Sequence, residues 1–264
     1  MSTHDGATFE YTRPFQSARP RKNRKNKKTG SGAQIAPAVA LDRTRQELIT
    51  DVWIQECKHL IRESLHLLSV TSPEVLCLGL GSPAAYRDPR AQLVFLLEVS
   101  DDLSLDRSNI SVYDPVFTEE DERLLDDIRV RRLTENRNAA YALPNPSIAY
   151  MPHCDLQLYE NILRENWTSN RLPKLLLIAN RFSEYVDNVP SQKLSAAFPC
   201  VSRIAPHLTS QPLPPCPSHP TAFNNIAIQY IRLSDLPPSE DIFWELPPVP
   251  PKSGSEESTN NAER

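Results

Sequence analysis

Two short runs of unbroken apolar sequence set the terms for this chain. Val75-Leu76-Cys77-Leu78-Gly79-Leu80-Gly81 and Leu175-Leu176-Leu177-Ile178-Ala179 have no polar face. A strand with water on one side alternates apolar and polar residues, so a strand apolar throughout must be covered on both sides. Ile110-Ser111-Val112-Tyr113, stopped by Asp114-Pro115, reads as a further strand, and Val130 to Leu133 and Ser147 to Met151 as two more.

Helical patterns separate these runs. From Leu41 to Leu68 the residues Ile49, Trp53, Cys57, Leu60, Ile61, Leu65 and Leu68 recur at three- and four-residue steps, one apolar stripe on a charged helix. Arg90 to Val99 is apolar almost all round and reads as a buried helix. Thr118 opens another, with Glu119, Glu120 and Asp121 at the positive end of its dipole. Leu156, Tyr159, Leu163 and Trp167 mark an amphipathic helix, and Ile226 to Ile231 a last strand, expected at an edge. Strands alternating with helices predict an α/β, Rossmann-like fold. Its open, mostly parallel sheet has about five to six strands, with helices on both faces. Strand order 3-2-1-4-5 is the natural arrangement.

The predicted domain spans 41–246. Before it, residues 1–40 lack hydrophobic periodicity and read as a disordered arm, and 247–264 read as a disordered tail of Pro, Ser, Glu and Asn. Hydrophobic residues make up 39% of the 264, below the usual globular share of about 45–50%, in keeping with a core flanked by unstructured ends. Arg19, Arg21, Lys22, Arg24, Lys25, Lys27 and Lys28 put seven positive charges into ten residues. Eight of the 29 basic and two of the 33 acidic residues lie in the first 28 positions, so the remainder holds 21 against 31, a net of −10. The basic run reads as a nuclear import signal, a nucleic-acid-binding arm or a solvated tail.

Five cysteines (Cys57, Cys77, Cys154, Cys200, Cys216) form no CxxC pair, and the polar N-terminus lacks a signal-peptide apolar region. No apolar run is long enough to span a membrane. Reduced cysteines in an intracellular compartment follow.

In open α/β sheets, ligands bind outside the carboxyl ends of strands, where the strand order switches. Gly79, Gly81 and Ser82 follow the first strand, Asp114 the second, His153 and Cys154 the fourth, and Asn180 the fifth. In a parallel sheet these groups converge on one edge and form a candidate ligand pocket. Polar residues also end strands without any function. Of six glycines, only Gly79 and Gly81 lie in the interior of the chain, pointing to positive φ or to a close approach at that loop. Gly79-x-Gly81-x-x-Ala84 loosely matches a dinucleotide fingerprint, but Pro83 and Pro89 interrupt it and Asp114 lies 33 residues past Gly81, farther than the acidic partner at about 20. The Gly loop with Asp114 fits the layout of many methyltransferases better. His153 and Cys154, being adjacent, make an awkward metal bite, and no second cluster is spaced for zinc, so no metal is assigned. Cys154 with His153 as a nucleophile pair would need an oxyanion hole that the sequence does not locate. The cofactor is left open.

Three blocks in order carry a family resemblance: Val112-Tyr113-Asp114-Pro115-Val116-Phe117; Ile148-Ala149-Tyr150-Met151-Pro152-His153-Cys154; and Leu158-Tyr159-Glu160-Asn161-Ile162-Leu163 through Asn166-Trp167. With Leu177-Ile178-Ala179-Asn180-Arg181-Phe182, Phe223-Asn224-Asn225 and Trp244-Glu245, the chain resembles the sensitivity-to-red-light-reduced family over 41–246. It departs where the family shows Gly-Asn-Ser-Phe and this chain has Ala179-Asn180-Arg181-Phe182. The resemblance implies a regulatory protein, linked in plants to light signalling and circadian timing, and more loosely elsewhere to cytoskeletal stability, proliferation and haem metabolism. It implies nuclear and cytoplasmic locations and no settled catalytic activity. The first reading is therefore a non-catalytic regulator acting through partner or ligand binding, with protein partners and no membrane. The alternatives are a group-transfer enzyme using S-adenosylmethionine and nucleic-acid binding through the arm.

Overall fold

The computed structural model describes residues 35–248; the expected basic arm before residue 35, the import-signal residues within it and the tail from residue 249 lie outside the described residues. The elements are α1 (Pro37–Ile49), α2 (Val52–Leu67), β1 (Glu74–Leu78), α3 (Arg87–Asp102), β2 (Ile110–Tyr113), α4 (Glu119–Asp127), β3 (Arg131–Arg132) and β4 (Ser147–Met151), then α5 (Leu156–Glu165), β5 (Leu175–Asn180), α6 (Phe182–Asn188), α7 (Ser191–Ala197), α8 (Pro199–Ile204), β6 (Thr209–Pro212) and β7 (Ile226–Tyr230).

The strands form one open sheet of seven, in the order β3-β2-β1-β4-β5-β7-β6. The first five are parallel, as expected from strands alternating with helices. The sheet has one strand more than the sequence suggests, because Thr209–Pro212 carries a proline and alternates half-buried and exposed residues, a weak signal. The strand expected at an edge is corrected: β7 lies inside the sheet, antiparallel to both β5 and β6. All five of its residues are buried, and β6 takes the edge.

The helical stretch from Leu41 is two helices. Asp51 breaks it, and its side chain accepts the Trp53 N–H to cap α2. The first helix begins at Pro37, within the segment expected as an arm, with proline in its first turn, where a missing N–H costs nothing. Asp101 and Asp102 end α3.

The first four helices bury one face of the sheet: Trp53, Ile61, Phe95 and Leu125 pack with Cys77, Val112 and Tyr150. The other face is covered by α5, α6 and α8 and by the C-terminal segment, where Tyr159, Leu163, Phe182 and Val201 meet Leu78, Met151 and Leu177. The C-terminal segment is strapped down by side chains: Trp167 Nε1 donates to the Phe243 carbonyl at 2.8 Å, and Arg203 to that of Glu245 at 2.6 Å.

A buried charge cluster joins the first three helices. Glu98 of α3 accepts from Lys58 of α2 at 2.9 Å and from Arg45 of α1 at 2.6 Å. Desolvation pushes the Glu98 carboxyl up, but the bonds from Lys58 and Arg45 outweigh it and hold the group below its ordinary range. Removing Glu98 strands the buried Lys58, while Arg45 keeps its second partner, Asp101, at 3.0 Å. Glu98→Ala is expected to cost about 3 kcal/mol or more, read by urea unfolding, while the double variant Lys58→Met/Glu98→Met recovers most of that loss.

Candidate functional site

The order β3-β2-β1-β4 puts the topological switch between β1 and β4, the crevice where open α/β sheets take ligands. The residues picked out from the sequence come together along this edge. Gly79 and Gly81 hold φ of +70° and +75°, a left-handed backbone that favours glycine. At both, the vacant side is taken by the protein itself. A Cβ on Gly79 would stand 2.4 Å from Cys154 Sγ, and one on Gly81 2.9 Å from Pro89 Cγ. Cys154 also donates to the Leu78 carbonyl at 3.5 Å. The thiol at the end of β4 therefore plugs the crevice against the end of β1.

The Gly loop is fastened from the side by two carboxylates. Asp114, at the end of β2, accepts the Gly81 N–H at 2.7 Å and the Val116 N–H at 2.9 Å. Asp121, in the first turn of α4, is fully buried. It accepts from Ser82 Oγ at 3.0 Å and from the Ala84 N–H, the Thr118 N–H and Thr118 Oγ1 at 2.8 Å each. The Thr118 hydroxyl in turn accepts the Asp121 N–H, completing a capping box. Arg90 secures the same loop from α3, donating to the carbonyls of Pro83 and Ala84 at 2.9 Å. Burial pushes the Asp121 carboxyl up, but its hydrogen bonds from Thr118, Ala84 and Ser82 win and lower it. A depressed carboxyl contributes stability above its unfolded value of about 3.9, and that contribution is lost as pH falls through the folded one.

On the other side of the crevice, His153 (φ +55°) donates its N–H to Asn180 Oδ1 at 3.1 Å. Its Nε2 lies 3.1 Å from the Ala222 carbonyl, an acceptor only, so that nitrogen carries the proton. The same carbonyl accepts from Gln92 at 2.8 Å. The amide of Asn180 donates to Tyr185 OH at 2.9 Å, and its backbone carbonyl accepts from Gln229 at 3.0 Å.

These contacts define what the arrangement can do. Burial raises the Cys154 thiol to about 12, with Asp155 and Asp114 adding to it, so at neutral pH it is a protonated packing group and no nucleophile. Cys57 is buried in the first core and Cys200 on the buried side of α8. Among the described residues no three His, Cys, Asp or Glu side chains are grouped to hold a metal ion. No described helix is long and apolar enough to cross a membrane. Sequence reading misses Asp121, Arg90, Gln92 and Gln229 as members of the site. Asp121 carries a signal, since Thr118-x-x-Asp121 is the spacing of a capping box, but its reach to Ser82 and Ala84 depends on the β1–β2 pairing.

The predicted cost of filling Gly79 has two parts that separate in a mutant cycle. Gly79→Ala adds the clash with Cys154 to the strain of positive φ, and is expected to lower stability by about 3 kcal/mol or more. With Sγ removed the next side-chain atom is Cys154 Cβ at 4.0 Å. Gly79→Ala/Cys154→Ala should therefore lose less than the sum of the two single variants in chemical denaturation, with about 1–2 kcal/mol of backbone strain remaining.

The arrangement can be set beside known proteins. The SRR1 domain matches residues 58–230, which run from the buried Lys58 to the end of β7. The SRR1-like protein of Mus musculus is 30% identical over 138 residues, 52% of this chain and 55% of that protein. The protein SENSITIVITY TO RED LIGHT REDUCED 1 of Arabidopsis thaliana is 33% identical over 125 residues, 47% of this chain and 46% of its own length. An SRR1-like protein of Drosophila melanogaster is 27% identical over 171 residues, covering 64% of this chain and 59% of that one. The chain thus spans about half the length of the curated relatives it matches. No solved structure matches it. With the matched segment holding β1 through β7 and every residue of the plugged crevice, this chain belongs to the SRR1 domain family.

Proposed function

We propose that this chain is a non-catalytic regulatory protein that acts by binding a protein partner or a ligand, in the nucleus and the cytoplasm. The observation that carries the reading is the plug. Where this sheet type takes a cofactor, Cys154 Sγ fills the space beside Gly79, Pro89 fills that beside Gly81, and Asp114 is bonded to the loop. Bare backbone that a cofactor would need is spent on packing. Exposed apolar side chains stand in the stapled loops themselves, Tyr86 at 66% and Val116 at 57% exposure, a rim suited to a partner surface. The name of the Arabidopsis relative refers to red-light sensitivity; a role in light or circadian signalling is the pathway this reading inherits from that likeness.

One observation favours a second reading, a group transferase using S-adenosylmethionine. The order 3-2-1-4-5-7-6, with both β5–β7 and β7–β6 antiparallel so that only the seventh strand is reversed, is that of many methyltransferase sheets, and Gly81 and Asp114 hold the positions of their glycine loop and acidic residue. Fold alone does not carry an activity.

Thermal unfolding of the full chain with S-adenosylmethionine, its demethylated product, ATP, NAD or haem separates the two. A ligand bound only by the folded state raises stability by about 2.7 kcal/mol at a hundredfold excess over Kd. The regulatory reading expects no shift with S-adenosylmethionine or its product. It also expects partners recovered with the wild type to be lost from a folded Tyr86→Glu/Val116→Glu variant. A saturable shift with S-adenosylmethionine establishes the transferase reading instead.

A further inference from the structure

A second cleft lies away from the crevice, on the α5 face at the amino ends of β1 and β2. Its volume is about 190 Å³, room for some six waters at about 30 Å³ each and below the roughly 300–1,000 Å³ of cofactor-sized pockets. Glu74 lines it and opens β1, and Gly79 lies five residues farther on, so at about 3.3 Å per residue the two sites are separated by about 16 Å.

The floor of the cleft breaks the rule of the face it belongs to. Over β1, β4 and β5 this face carries Leu76, Leu78, Ala149, Met151, Leu177 and Ala179. One row outward the pairing runs from Leu76 to Ser111 and on to Arg131. A buried hydroxyl and a guanidinium replace the apolar layer. No described α-helix lines the cleft; the short 3-10 turn that holds Ser108 and Asn109 and the segment holding Tyr141 form its walls instead.

The charges there are not matched to each other. Arg131 donates through Nε and Nη2 to Ser111 Oγ, at 2.9 and 2.6 Å. Its other three N–H groups have no described partner and open to solvent, since Arg131, like Glu74, is exposed, and among the described residues Arg131 makes no ion pair. Both bonds to Ser111 converge on the one hydroxyl oxygen. Glu74 lines the same cleft and has one described partner, the neutral amide of Asn145, at 2.8 Å from Oε1. A cation and an anion thus face one small space, each held by a neutral group and neither paired with the other.

We propose that this cleft binds a small zwitterion of amino-acid size. Arg131 takes the carboxylate, Glu74 the ammonium, and Ser111 fixes the guanidinium. A molecule bearing both charges satisfies both groups at once, whereas a simple anion meets the repulsion of Glu74. This site is independent of the regulatory reading.

The test is titration calorimetry on the full chain with matched pairs: glycine against acetate, alanine against propionate, aspartate against succinate, with inorganic phosphate as a further probe. At least one amino acid should bind saturably and about tenfold or more tighter than its partner lacking the amine. Arg131→Met should weaken binding by about tenfold or more, the scale of a lost charge-assisted contact. Glu74→Gln should abolish the preference for the amine, and Ala142→Trp, at a lining position, should block binding sterically with the melting temperature unchanged. The proposal is overturned if no amino acid binds saturably, if the carboxylates or phosphate bind as tightly, or if binding survives in a folded Arg131→Met or Ala142→Trp variant.

Discussion

The buried carboxylate of Asp121 is the contact on which the rest of this edge depends. It belongs to the first turn of α4, yet two of its four donors, Ser82 Oγ and the Ala84 N–H, come from the loop after β1. A buried carboxylate is costly unless fully hydrogen-bonded, and this one is. The bonds run both ways: Asp121 is tolerable only with the Gly loop in place, and the loop is held in its left-handed course only while Asp121 and Asp114 receive its N–H groups. Two connections that cross the same end of the sheet, β1 to α3 and β2 to α4, therefore form one unit.

That unit makes the plug possible. Gly79 must be glycine twice over, for its positive φ and for the sulfur lying where a Cβ would go. Cys154 in turn reaches it because His153 turns the chain at φ +55°, held by the Asn180 side chain and the Ala222 carbonyl. The crevice at the switch point is thus closed by packing from β4 and by hydrogen bonds from β2 and β5. The same closure explains why Cys154 is protonated: it is surrounded by protein and lies near Asp155 and Asp114, which oppose a thiolate.

Much of this edge is legible in the amino-acid sequence. The apolar runs of β1 and β5 call for a covered parallel sheet, and β3-β2-β1-β4-β5 is the natural one among the orders that right-handed crossovers allow. Gly79, Asp114, His153, Cys154 and Asn180 stand out because each follows or ends an apolar run. What is not legible depends on pairing across long separations. Nothing local in Ile226–Tyr230 tells an interior antiparallel strand from an edge, because its neighbour β6 hides a proline and two exposed residues. Asp51 reads as one more charge on a helix face and is a cap. The carboxylate of Asp121 reads as a dipole partner on the surface, and its burial arises only because β2 lies beside β1.

Hydrogen exchange at single amides tests most directly whether the loop and the helix form one stapled unit. If Asp114 and Asp121 hold the edge, the amides of Gly81, Ala84 and Thr118 exchange only through global unfolding, at the slow rate of Leu76 and Cys77 in β1. In Asp121→Asn, which cannot accept all four bonds, Ala84 and Thr118 then exchange faster while the strand amides keep their protection relative to global stability. Rapid exchange of Gly81 and Ala84 in the wild-type protein, at rates typical of an open loop, would contradict the account.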